Sequence, residues 1–191
     1  MAAEPRLILA SASPRRLELL RLAGLDPVVS PADIDETLRA GEEPVAYVER
    51  LAREKAQAIP ADTGDVVLGA DTAVVIDGEI LGKPRDAQEA VAMLRRLRGR
   101  DHIVSTGVSV VNAAESVAVT VVTTAVVIAP ISDAAIAAYV ATGEPLDKAG
   151  GYGIQGRAAA FVTRIEGSWT NVVGLPLVES LALLRTAGIQ A

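Results

Sequence analysis

Residues 66–86 read VVLGADTAVVIDGEILGKPRD. The run from Val66 to Ile76 is rich in β-branched residues and reads as one long strand. Asp77-Gly78 is a two-residue hairpin turn, and a short return strand ends at Lys83 and Pro84. One residue does not belong in such a strand. Alternation puts Asp71 on the face of Val67, Gly69, Ala73 and Val75, so its nearest same-face neighbours are small and it sits at the floor of a notch. An unpaired buried carboxylate costs several kcal/mol. Asp71 is therefore paired with Lys55 or Lys83 for structure, bound to a metal, or at a strand end facing a cleft, and the last two readings make it a site residue.

Before this stretch, LILASASPRRLELLRLAG (7–24) is a strand over Leu7–Ala10 running into a helix capped by Ser13, with Pro14 as its first residue. Leu17, Leu20 and Gly24 share one expected face, and Arg15, Glu18 and Arg21 turn away. The turn collects backbone N–H groups, a helix dipole, two hydroxyls and two guanidinium groups, which suits an anion. DPVVSPADIDET (26–37) is a short strand entering an acidic loop. EPVAYVERLAREKAQAI (43–59) is a helix with the stripe Val48, Ala52, Ala56, Ile59, and Lys55 lies close to that stripe.

After it, DAQEAVAMLRRLRG (86–99) is a helix with a capping box at Asp86 and Glu89 and a stop at Gly99. HIVSTGVSVVN (102–112) and SVAVTVVTTAVVIAPI (116–131) are strands forming a central antiparallel pair, joined by a turn around Asn112 to Glu115. SDAAIAAYVATG (132–143) is a capped helix, EPLDKAGGYGIQG (144–156) a Gly-rich loop whose glycines permit close approach to a ligand, AAFVTRIEG (159–167) a last strand, and LPLVESLALLRTAG (175–188) a closing helix. The fold class is α/β, a mixed sheet flanked by helices with a central cleft, in a single domain over residues 1–191.

Composition narrows the function. Half of the residues are hydrophobic but only 3% are aromatic, which fits a Val, Leu, Ile and Ala core between sheet and helices. The net charge of −6 excludes a general binder of nucleic-acid polymers or anionic membranes, and RRLRGR (95–100) reads as a solvated helix end. Cysteines are absent, so thiolate metal sites and disulfides are too. No apolar run reaches the ~18 residues of a membrane span, and LILA is too short for a signal peptide, so a cytoplasmic location is expected. His102, the one histidine, reads as a satisfied surface or edge residue. Any metal is expected to be a hard, oxygen-bound cation such as Mg²⁺ or Mn²⁺. Donors for an anion, a notch carboxylate and lysines on nearby turns together suit phosphoryl-transfer chemistry.

SASPRR (11–16), DET (35–37), RLAREKA (50–56), GADT (69–72), GKPRD (82–86), DKAGGYGIQG (147–156) and VVGLPL (172–177) occur in this order. In that combination the chain closely resembles the Maf family of nucleotide pyrophosphatases over nearly its whole length. The resemblance implies a metal-dependent enzyme, often dimeric, that splits a nucleoside triphosphate into monophosphate and pyrophosphate on a fold related to the inosine-triphosphatase type. GADT with GIQG is similar to the branch acting on dTTP and UTP. The resemblance makes Asp71 the proton acceptor and places specificity on Arg15, Thr72 and Gln155. Ser11, Arg16, Glu36, Lys55 and Lys83 match other cleft positions, with Ser13 starting the helix on which the triphosphate docks and Glu36 joining Asp71 on the metal. Gly151, where Ala is expected, and SWTN (168–171) depart from the family pattern. A non-catalytic nucleotide-binding regulator of septum formation is the other reading; it needs the basic turn but not Asp71.

Overall fold

The computed structural model describes residues 5–62, 64–112 and 117–190. Along the chain run β1 (Arg6–Leu9), α1 (Pro14–Leu22), β2 (Val28–Val29), α2 (Pro44–Gln57), β3 (Asp65–Ile76), β4 (Glu79–Leu81) and α3 (Ala87–Leu97). Then follow β5 (Asp101–Asn112), β6 (Val117–Ile128), α4 (Asp133–Val140), β7 (Val162–Glu166), α5 (Trp169–Val173) and α6 (Leu177–Thr186). The strands form one mixed sheet in the order β2-β1-β3-β5-β6-β7, with β4 beside β3. β1 pairs in parallel with β2 and β3, whereas β3–β4 and β6–β7 are antiparallel. β5 and β6 are neighbours near the middle, as the sequence predicts. Of the turn expected around Asn112 to Glu115, Asn112 ends β5 and residues 113–115 lie outside the described residues. Among those residues no helix is long and apolar enough to cross a membrane.

The hairpin forms where Asp77-Gly78 predicts it, because both residues take positive φ, 55° and 79°. The return strand stops at Leu81, earlier than expected; the Gly82 carbonyl accepts from Gly150 N–H at 3.0 Å, outside the β3 ladder. Ser13 caps α1 by accepting from Arg16 N–H, Ser132 caps α4, and Asp86 caps α3. The box at Asp86 closes differently from expectation: the Glu89 carboxylate reaches back to the N–H and Nε of Arg85.

The chain divides into two compact units. One comprises Met1–Asp71, Thr106–Val122 and Gly174–Ala191, the other Thr72–Ser105 and Thr123–Val173, so β3, β5 and β6 each contribute to both. In the first unit, Ile8, Ala10, Ala56, Val67 and Val111 form one apolar cluster. Helix α2 lies hard against the strands. A Cβ at Gly69 would overlap the Ala52 carbonyl oxygen, and one at Gly107 the Val48 carbonyl oxygen. In the second unit, Val74, Ile76, Leu94, Leu97, Val126, Ile128 and Ile136 are the centre of a larger core. Each such side chain contributes roughly 1.5–3 kcal/mol by leaving water.

The buried face of α1 is not the expected one. Arg16, Leu19 and Leu20 are buried, Leu17 is half-buried and Gly24 is exposed. The i, i+3, i+4 spacing is kept, but it starts at an arginine that hydropathy alone assigns to solvent.

Candidate active site

The notch at Asp71 is filled by α2. Val48, Leu51, Ala52 and Ala56 are its buried stripe, and Lys55 is buried with them at 7% exposure. Gly69 leaves room for the helix backbone, and this close approach brings Lys55 to the strand. Lys55 Nζ donates to Asp71 Oδ1 at 2.7 Å and pairs with Glu36 Oε1 at 2.7 Å. Of the two partners that the sequence offers Asp71, Lys55 is the one used. Removing one member of a buried ion pair costs roughly 3–5 kcal/mol, less where a partner is half exposed, as Glu36 is. The arrangement joins two carboxylates through one ammonium and leaves Asp71 Oδ2 outside that bond.

The SASPRR turn is in the same unit. Ser11 Oγ accepts from Ser13 N–H at 3.2 Å and from Arg16 Nη1 at 2.9 Å. Arg16 Nε donates to the Gly174 carbonyl at 2.8 Å, tying the turn to the VVGLPL segment. Burial pushes the Arg16 guanidinium pKa down, and the negative charges of Asp71 and Glu36 oppose that shift while Arg15 adds to it. These four charges thus share one electrostatic neighbourhood. Arg16 is a brace of the turn, and Arg15 is the half-buried guanidinium beside it. Both serine hydroxyls accept from the chain and keep their own protons to donate.

Sequence reading misses what holds Glu36. It lies in an irregular loop, and Tyr47 Oη donates to its carbonyl at 3.0 Å. Burial, then the charges of Asp71 and Glu36, push the Tyr47 phenol up to about 12. The signal in the sequence is faint: Tyr47 is a polar-tipped aromatic two turns before Lys55.

Thr72, Lys83 and Gln155 belong to the second unit. Thr72 is half-buried, Lys83 is exposed after β4, and Gln155 is exposed in a turn closed by Gly156 N–H to the Gly153 carbonyl. The glycines around Gln155 serve the loop itself. A Cβ at Gly153 would collide with the Lys148 side chain and one at Gly156 with the Glu144 carboxylate. Glu144 accepts from Tyr139 Oη at 3.0 Å and from Arg157 N–H at 3.1 Å, and Lys148 Nζ bonds the Glu144 carbonyl and Asp147. Expected on a surface or edge, His102 is instead buried, with Nε2 2.7 Å from Tyr152 Oη and the rings edge-on. The SWTN stretch is the cap of α5: Ser168 Oγ accepts from Asn171 N–H, and Asn171 Nδ2 donates to the Val104 carbonyl and Thr124 Oγ1.

Among the described residues no group of three or more His, Asp or Glu gathers as a metal cluster. Mg²⁺ and Mn²⁺ do not require one, since one or two carboxylates with phosphate oxygens and water complete their shell. Asp71 and Glu36 already converge on one cation, the Lys55 ammonium, at 2.7 Å each, so the donor set fits such an ion.

Comparison with known proteins extends the picture. The sequence model of a family described as Maf-like protein matches residues 6–187. A protein named dTTP/UTP pyrophosphatase from Anaeromyxobacter dehalogenans is 58% identical over 187 residues, 96% of this chain and 95% of that one. A protein of the same name from Hahella chejuensis is 51% identical over 189 residues, 97% of this chain and 94% of that one. Among solved structures, the Staphylococcus aureus Ham1 protein matches with a TM-score of 0.46 and 16% identity, covering 65% of this chain and 72% of that one.

Proposed function

The chain belongs to the Maf family, and from that premise we propose that it is a pyrophosphatase that hydrolyses dTTP and UTP in the cytoplasm to the monophosphate and pyrophosphate. The observation that carries the reading is the Lys55 ammonium held between Asp71 and Glu36 beside a capped, arginine-bearing turn. Two relatives more than half identical over nearly their full length carry the name dTTP/UTP pyrophosphatase, and this favours the enzyme over a regulator that binds without turnover.

In this mechanism the N-terminus of α1, the hydroxyls of Ser11 and Ser13 and the Arg15 side chain receive phosphate oxygens. Arg16 contributes its charge and keeps the turn in shape. Lys55 and Lys83 neutralise further phosphate charge as it develops. Asp71 and Glu36 would hold Mg²⁺ or Mn²⁺, which when bound supplies Lewis-acid stabilisation of phosphate oxygens. Asp71 Oδ2 accepts a proton from a water whose oxygen bonds to the α-phosphorus as the bond to the bridging oxygen breaks and pyrophosphate leaves. Thr72 and Gln155 are the base-selecting positions. A side-chain amide meets the N3–H and one carbonyl of uracil or thymine with complementary atoms, and cytosine offers no N3–H.

The test is to incubate purified protein with each nucleoside triphosphate and Mg²⁺ or Mn²⁺ and to resolve the products. UTP and dTTP should give monophosphate and pyrophosphate, and excess chelator should stop the reaction. Release of single phosphate, or activity that survives the chelator, overturns the reading.

A further inference from the structure

Glu36 lies in the segment from Ser30 to Glu43, which contains no helix or strand and only a turn at Ala40–Gly41. A carboxylate in such a segment has no intrinsic reason to hold one direction, because each free backbone residue carries about 1–2 kcal/mol of conformational entropy. What fixes it comes from α2. Tyr47 Oη donates to the Glu36 carbonyl at 3.0 Å, and Arg50 Nη2 donates to the next carbonyl, Thr37, at 3.2 Å. Arg50 also grips the far end of the loop, with Nε on Glu42 Oε1 at 2.6 Å and Nη2 on Glu42 Oε2 at 2.7 Å. Its guanidinium carbon stands 5.6 Å from the centre of the Tyr47 ring, within cation–π range. Lys55, further along the same helix, takes the Glu36 side chain. One helix therefore holds Glu36 twice, by its main chain through Tyr47 and by its carboxylate through Lys55.

We propose that Tyr47 is a positioning residue for the divalent-cation site: its hydroxyl sets the Glu36 main chain so that the carboxylate faces Asp71. The inference rests on the reading of Glu36 and Asp71 as the cation's ligands. Arg50 stiffens the loop around the same point but has a structural role of its own through Glu42 and Glu54. Tyr47→Phe is thus the cleaner change, since it removes one hydroxyl and keeps the ring over Arg50.

The experiment measures Mn²⁺ binding by electron paramagnetic resonance without nucleotide, together with the Mg²⁺ half-saturation of turnover, for the wild type, Tyr47→Phe and Glu36→Gln. Loss of a group that orients a metal ligand typically weakens metal binding by about 10- to 100-fold. Tyr47→Phe should weaken Mn²⁺ binding by about 10-fold and raise the Mg²⁺ requirement in parallel, with nucleotide KM at saturating Mg²⁺ little changed. Glu36→Gln should do the same more strongly. Wild-type Mn²⁺ binding in Tyr47→Phe, alongside weakened binding in Glu36→Gln, overturns the positioning role and leaves the ligand assignment standing. Wild-type binding in Glu36→Gln overturns both. Should Tyr47→Phe fold poorly, Tyr47→His keeps a ring donor near the carbonyl, and Mn²⁺ affinity that tracks thermal stability across both variants overturns the proposal.

Discussion

The Lys55–Asp71–Glu36 cluster and the Gly-rich loop around Gln155 both rely on glycines, but for opposite ends. In the first, Gly69 and Gly107 admit the backbone of a helix, and the helix brings the Lys55 ammonium to Asp71 on β3 and to Glu36 in the loop before it. In the second, Gly153 and Gly156 admit Lys148 and Glu144, whose polar atoms close the loop on itself and leave Gln155 exposed. Glycine content alone says that something comes close. Whether that something is a helix, a neighbouring side chain or a ligand depends on packing.

The comparison predicts different failures for the two regions. Asp71→Asn should break the first region at its chemistry: the fold persists and turnover falls by about 100-fold or more, the range for losing a general base that also serves a metal. Steady-state assays with circular dichroism check this, and near-normal turnover in a folded variant would return the cluster to a purely structural role. Gly107→Ala should break the same region at its frame. The added methyl meets the Val48 carbonyl, and overpacking of this kind costs typically ~1–3 kcal/mol. Urea unfolding should show that loss, and α2 displaced from β5 should carry Lys55 away from Asp71.

In the second region, Gln155→Ala should leave the loop standing and lower kcat/KM for UTP and dTTP by ~1–3 kcal/mol, with less effect on poorer substrates. Equal losses for UTP, CTP and GTP would make Gln155 a support of the loop. The smallest effect concerns the His102–Tyr152 pair. Burial pushes the His102 imidazole down to about 4, from a model-compound value of 6.5. A depressed folded-state pKa means that the unfolded chain binds the proton first, so the contribution to stability is full above 6.5 and is lost as pH falls towards 4. Between pH 7 and pH 5 the wild type should lose about 1–2 kcal/mol from this group. His102→Gln should lack that part of the slope, and denaturant titrations at the two pH values would show parallel losses if the pair were irrelevant.

Much of this was readable in the chain, and the particular misses have physical causes. Asp77-Gly78, Ser13, Ser132 and Asp86 act through their own backbone geometry, so turns and caps were legible. The pairing of Asp71 was legible as a need, because a carboxylate in a β-branched run must be compensated. Its choice of Lys55 over Lys83 was not, since it depends on how closely α2 settles on Gly69. Helix α5 is not legible, because its cap, Ser168, is held by Thr124 on β6. The buried face of α1 is not legible, because Arg16 finds partners in Ser11 and Gly174, the latter 158 residues away. The role of Tyr47 is not legible, because its target is a loop with no periodicity to read.

Helix α2 also sets which motions the cluster can undergo. Its main chain rests directly on that of β3 and β5 at the two glycines, so local opening of its middle gives up the close packing at both. Amide protons of Leu51 to Ala56 should then exchange with solvent more slowly than those of residues 31–36, which belong to no helix or strand. Lys55 and Asp71 keep their separation on that timescale, and Glu36, on the irregular segment, depends for its place on the bonds that Tyr47 and Lys55 make to it.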